Sequence, residues 1–191
     1  MPAPFLSQLK SKLTATPGND LSTTLSSKAC VALILRGRDI ESLELGYIRR
    51  AISPNDGWSG QIAFPGGRRE DSDEDDFYTA CREVREETGI ELSRAELLGH
   101  IDDIQARRRE GLLDFFIRPL VFYIDKPVTL ALDPSEVADF FWVPVKHLAE
   151  PARRVDFAFG ERGNFPAIDI GGAPPLWGLT YMMTLDLLAR L

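Results

Sequence analysis

The sequence predicts a single α+β domain built on a mixed β-sheet, and three observations carry that expectation. Short apolar segments of strand length recur along the chain, a strongly patterned helix interrupts them near the middle, and further helical patterns lie near both ends. The 191 residues contain no Pro/Gly/Ser-rich stretch long enough to divide them. Residues 1–28 therefore read as a helix and lead-in belonging to the same domain, and residues 29–191 as its body.

Taken in order, PFLSQLKSKL places Phe5, Leu6, Leu9 and Leu13 at helical spacing. ACVALILR (29–36) is a buried strand, nearly all apolar and stopped by Gly37, and SLELGYIRRA (42–51) is its hairpin partner. SPNDGWSG (53–60) is a loop by composition, and QIAF (61–64) is a short strand running into Pro65-Gly66-Gly67. FYTACREVREET (77–88) is a helix preceded by acidic starting chemistry and stopped by Gly89. Strands follow at 95–104 and 113–124; Pro119 predicts that the latter lies at an edge or carries a bulge. DFFWVPV (139–145) and VDFAF (155–159) are extended, and TYMMTLDLLARL (180–191) closes the chain as an amphipathic helix.

Composition narrows the function classes. The apolar fraction of 44% and charged fraction of 27% are those of an ordinary globular protein. No run approaches the ~18–20 apolar residues that cross a bilayer, and no export signal opens the sequence, so a cytoplasmic location without membrane attachment is the expectation. A formal charge of -7 disfavours binding to nucleic-acid backbones. Phosphate ligands stay open, because carboxylates can hold them through a metal ion. Cys30 and Cys81 lie in apolar patterns and read as small core residues.

The central helix carries the chemistry. At ~100° per residue, Phe77, Cys81, Val84 and Thr88 form a stripe that packs on the sheet. Glu83, Glu86 and Glu87 share a different face, where like charges repel by ~0.2–0.5 kcal/mol per pair. Arg82, one turn from Glu86, relieves part of that. A hard divalent cation with an oxygen-ligand preference, Mg²⁺ or Mn²⁺, would relieve the rest.

The surrounding residues resemble the Nudix box. Its second half stands as Arg82-Glu83-Val84-Arg85-Glu86-Glu87-Thr88-Gly89-Ile90; its first half holds Gly67 and the acidic pair Asp73/Glu74, with one residue inserted. The insertion leaves open which acid supports Arg82. SGQIAFPGG (59–67), Ile101-Asp102-Asp103, FFWVPVKHL (140–148) and WGLT (177–180) are similar to the branch of the family that hydrolyses coenzyme A. The segment GYIRRAISPNDGWSG (46–60) departs from that branch, with Asn55, Asp56 and Trp58 where basic or His residues are expected.

The resemblance implies a Nudix-like α/β/α sandwich and water attack on a P–O–P bridge of a nucleoside diphosphate derivative. Coenzyme A or an acyl-CoA is the leading substrate. ADP-ribose, a nucleotide sugar or a nucleoside triphosphate is the alternative, and a nucleotide-sensing module without catalysis a second. It implies metal ligation by Glu83 and Glu87, with Glu86 and the Gly67 carbonyl as further ligands, and an orienting role for Arg82. For the general base Glu136 is the choice, with Asp139 and Glu86 as alternatives. Arg49, Arg50, Arg68 and Arg69 are candidate substrate-binding cations, and Arg107-Arg108-Arg109 a basic loop. Trp58, Phe115, Phe157 and Phe159 could stack on an adenine, but aromatic residues near strands read first as core; His100 and His147 receive no role. The partner is a small nucleotide, and the oligomeric state is open, a homodimer included.

Overall fold

A computed structural model describes residues 4–15, 18–54, 57–108, 111–160, 163–172 and 174–191. The sheet is organised around β1 (Lys28–Arg36), whose seven inner residues are all buried. Alternation sends Val31, Leu33 and Leu35 to one face and Cys30, Ala32 and Ile34 to the other. Helices cover both faces. Leu9 and Leu13 of α1 (Pro4–Ala15) join the first layer with Met183 and Leu187 of the C-terminal helix, while Ala80 and Val84 of α2 (Asp76–Thr88) join the second. The result is the α/β/α sandwich expected from the sequence.

The expected hairpin forms only at its tip. β2 (Glu44–Arg50) pairs with β1 just at Leu35↔Leu45 and Arg36↔Glu44, then turns away to pair along its length with β8 (Val137–Pro144). Past β3 (Ile62–Ala63), the vacated flank of β1 is taken by β4 (Gly66–Arg68), with Cys30 opposite Gly67 and Val31 opposite Gly66. This splay puts the glycines beside the centre of the sheet.

The expectation of an edge strand around Pro119 is corrected. β7 (Gly111–Ile124) is interior: it runs parallel to β1 over nine residues and is flanked on its other side by β5 (Leu97–His100) and β6 (Ile104–Arg108). Those two flanking strands were expected as one. Their junction falls at Pro119, whose carbonyl accepts the Ile101 N–H at 3.2 Å. The proline therefore lacks a donor where its neighbour is interrupted, and no ladder bond is lost.

In the C-terminal part, β9 (Arg154–Ala158) and α4 (Gly178–Arg190) match the extended segment and closing helix expected there, while the short helix α3 (Val145–Ala149) and the strands β10 (Asn164–Ile168) and β11 (Leu176–Trp177), which complete a second sheet with β9, were not expected. Among the described residues no helix is long and apolar enough to cross a membrane. Cys30 is fully buried and Cys81 half-buried, both as free thiols, in line with core packing.

Candidate active site

Helix α2 begins and ends where sequence chemistry requires. Asp75 caps it by accepting the Tyr78 N–H at 2.8 Å, and Gly89 ends it in the left-handed conformation at φ 73. Asp76, in the first turn, ties the helix to the sheet. Its carboxylate meets Lys28 Nζ at 2.6 Å, Arg69 Nη1 at 2.8 Å and Arg118 Nη1 at 2.8 Å. Arg118 is held in turn by both oxygens of buried Asp103 and by Asp20. Sequence reading missed this hub, because its members come from five separate segments.

The buried stripe differs from the expected one. Thr79, Ala80, Val84, Glu87 and Thr88 are buried, whereas Phe77 and Cys81 are only half-buried. The helix is rolled so that one flank meets β4 as well as the sheet face. That roll takes Glu87 out of solvent and leaves Glu86 exposed.

Glycine is required at both positions of the turn into β4. Gly66 has φ +142, and a Cβ there would collide with the Cys30 carbonyl. A Cβ on Gly67 would overlap the Glu83 carboxylate. With no side chain in the way, the Gly66 N–H donates to Glu87 Oε2 at 2.8 Å.

Arg82 binds the acids into one unit. Its Nε and Nη2 donate to Asp73 Oδ1 and Oδ2, both at 3.0 Å, and Nη2 also reaches the Arg68 carbonyl. Its Nη1 donates to Glu83 Oε1 at 3.0 Å and Glu86 Oε2 at 3.1 Å. Asp73 is buried and further accepts from the Glu70 N–H and Thr79 Oγ1. The inserted residue thus leaves Asp73, not Glu74, as the support of Arg82; Glu74 is exposed and its carbonyl accepts from Arg69.

Electrostatics separate these carboxylates. The Arg82 guanidinium holds Asp73 well below the usual carboxylate range. Burial raises Glu83, and pushes Glu87 up to about 8 against the opposing effects of the Gly66 N–H and the Arg50 charge. The Glu136 charge raises both. Glu136 arrives on the loop before β8, which is stitched to the end of α2 by the Ala131 N–H on the Thr88 carbonyl and the Asp133 N–H on the Glu87 carbonyl.

The four candidate cations part company. Arg49 and Arg50 are neighbours on β2, at an irregularity in its pairing with β8. Arg50 acts electrostatically on Glu87, while Arg49 lies 4.0 Å from Asp139, its cross-strand neighbour. Arg69 is committed to Asp76 and the Asp73 carbonyl. Arg68 is exposed, with its guanidinium 4.8 Å above the Phe115 ring. Phe157 and Phe159 pack on Trp177 in the second sheet. Arg107 is exposed on β6, and Arg109, like Asn55 and Asp56, lies outside the described residues.

The donor set fits a hard divalent cation. It is all oxygen, and among the described residues each of Glu83, Glu86 and Glu87 keeps one carboxylate oxygen outside the bonds just given. Among the described residues the three are not gathered at one point, and Arg82 and Gly66 hold their other oxygens.

A family model described as the NUDIX domain matches residues 27–161. The chain belongs to the Nudix family. Its Nudix box is the Gly67–Ile90 unit built above. The peroxisomal coenzyme A diphosphatase NUDT7 of Mus musculus is 30% identical over 92 residues, covering 48% of this chain and 37% of that protein. The mitochondrial coenzyme A diphosphatase NUDT8 of Mus musculus is 28% identical over 130 residues, covering 65% of this chain and 60% of that protein. The Nudix chain thus spans only part of the length of these relatives. The crystal structure of a MutT/nudix family protein from Enterococcus faecalis superposes with a TM-score of 0.59 at 16% identity, covering 86% of this chain and 61% of that one. That likeness shows the shared fold.

Proposed function

We propose that this Nudix chain is a divalent-metal-dependent diphosphatase that cleaves the P–O–P bridge of a nucleoside diphosphate derivative, with coenzyme A or an acyl-CoA as substrate. The observation that carries the reading is the Arg82–Asp73 clamp holding Glu83 and Glu86 beside buried Glu87, against a glycine turn with no room for a side chain. Glu83, Glu87, Glu86 and the Gly67 carbonyl would hold Mg²⁺ or Mn²⁺, which when bound would supply charge neutralisation for the diphosphate and a lowered pKa for water. Glu136 is the general base, because it is exposed beside the glutamates it perturbs; Asp139 is turned to Arg49. Arg50 and Arg68 meet the phosphates, while Arg49 and Arg69 serve structure. The coenzyme A assignment rests on the two named relatives and the SGQIAFPGG run.

The departing segment 46–60 favours a second reading, the same chemistry on ADP-ribose or a nucleotide sugar. Turnover of coenzyme A, ADP-ribose and a nucleoside triphosphate, measured side by side with Mg²⁺ and with Mn²⁺, tests both. Release of 3′,5′-ADP and 4′-phosphopantetheine from coenzyme A is the expected result. Strong ADP-ribose cleavage beside negligible coenzyme A cleavage selects the second reading, and no cleavage of any compound overturns both.

A further inference from the structure

The loop between β4 and α2, residues 69–75, contains no apolar side chain. It holds Arg69, Ser72 and five carboxylates: Glu70, Asp71, Asp73, Glu74 and Asp75. Glu70, Asp71, Ser72 and Glu74 are exposed, and Asp73 alone is buried. Hydrophobic burial therefore does not set the path of this loop, and its acidic charges repel one another. The site nonetheless depends on that path, because Asp73 is the residue that holds Arg82.

Arg69, the one cation in the loop, supplies what burial does not. Its N–H donates to the Lys28 carbonyl at 3.1 Å and roots the loop on β1. Its guanidinium then reaches across the loop. Nη1 donates to Asp76 Oδ1 at 2.8 Å, and Nη2 to the Asp73 carbonyl at 3.0 Å and the Glu74 carbonyl at 3.3 Å. Asp76 is a firm anchor, since Lys28 and Arg118 hold it as well. Asp73 is thus gripped from two sides, its carbonyl by Arg69 and its carboxylate by Arg82. A planar fork of donors suits a reach from one carboxylate to two carbonyls, which a single ammonium does not match.

Resting on the diphosphatase reading, we infer that Arg69 is a positioning residue for the reaction: it fixes Asp73 so that Arg82 presents Glu83 and Glu86 in one geometry. The series Asp76–Arg69–Asp73–Arg82–Glu83 joins the charged hub at the start of α2 to the glutamates, and its hydrogen bonds all measure 2.8 to 3.0 Å. Removing the support of a ligand-orienting group costs roughly ten-fold in activity.

Arg69→Met and Lys28→Met, compared in the full chain, test this. Each takes one cation from Asp76 Oδ1, so general loosening of the helix start is common to both, whereas only Arg69 also holds Asp73. The first readout is hydrogen exchange of the Arg82 Nε–H by NMR without added metal, the signal being assigned by its loss in Arg82→Lys. The second is steady-state turnover of coenzyme A and of ADP-ribose with Mg²⁺. Exchange is expected to be faster in Arg69→Met and unchanged in Lys28→Met. The kcat falls roughly ten-fold in Arg69→Met with KM little altered, and stays at the wild-type value in Lys28→Met. Exchange or kcat indifferent to Arg69→Met overturns the proposal, as does an equal effect of the two variants, which marks a merely structural role. If the exchange pattern is as expected but the wild type cleaves neither compound, Arg69 still positions Arg82 and the diphosphatase reading falls. If the wild type cleaves either one and both readouts ignore Arg69, the positioning role alone falls.

Discussion

At Glu87, burial outweighs repulsion. Like-charge pairs on an open helix cost ~0.2–0.5 kcal/mol each, whereas burial pushes the Glu87 carboxyl up, to about 8. The residue is therefore held in a costly state by the fold around it. Glu87→Gln removes the ionisable carboxyl while keeping an oxygen for the Gly66 N–H. Turnover falls by at least ~100-fold while thermal stability is equal or higher, read by steady-state rates and a melting curve. Gly67→Ala acts on the same unit from the other side. Its new Cβ displaces the Glu83 carboxylate, so activity drops at least ~10-fold while the circular-dichroism spectrum stays native.

Elements are positioned by charge as much as by apolar packing. Val84 and Ala80 seat α2 on the sheet, but Asp76 decides how its first turn docks, gathering cations from β1, β4–α2 and β7. Asp76→Asn takes a carboxylate from Lys28 and one of several partners from Arg69 and Arg118, and costs about 3 kcal/mol, measured by urea unfolding. The loop into α2 adds a pH signature. Asp73 has a folded pKa below its ordinary value of 3.8, so its contribution is complete above that value and is lost as the pH falls below it. Between pH 4 and pH 2 the wild type loses stability more steeply than Asp73→Asn, which is already less stable at pH 7.

For the whole molecule, the proposed metal site links folding to ion binding. An ion that binds the folded chain alone raises its stability by mass action. Millimolar Mg²⁺ or Mn²⁺ raises the melting temperature of the wild type, and Glu83→Gln combined with Glu87→Gln abolishes that rise. The sandwich was largely legible: the seven buried residues of β1, the helix over Asp76–Thr88 and the Gly89 stop follow from local pattern. The splay of β2 from β1, the interior place of β7 and the second sheet were not, because each depends on which distant strand supplies the missing partner.

Amino-acid order alone determined the acidic face of α2, its capping residues and the glycine pair, since spacing on a helix and steric room at a turn are local properties. Only tertiary structure decided that Asp73 rather than Glu74 holds Arg82, that Glu87 is buried, and that the Arg50 charge acts on it while Arg49 lies by Asp139. Those choices turn on burial and on contacts between segments far apart in the chain, and a one-dimensional pattern does not encode which side of a helix or strand will meet them.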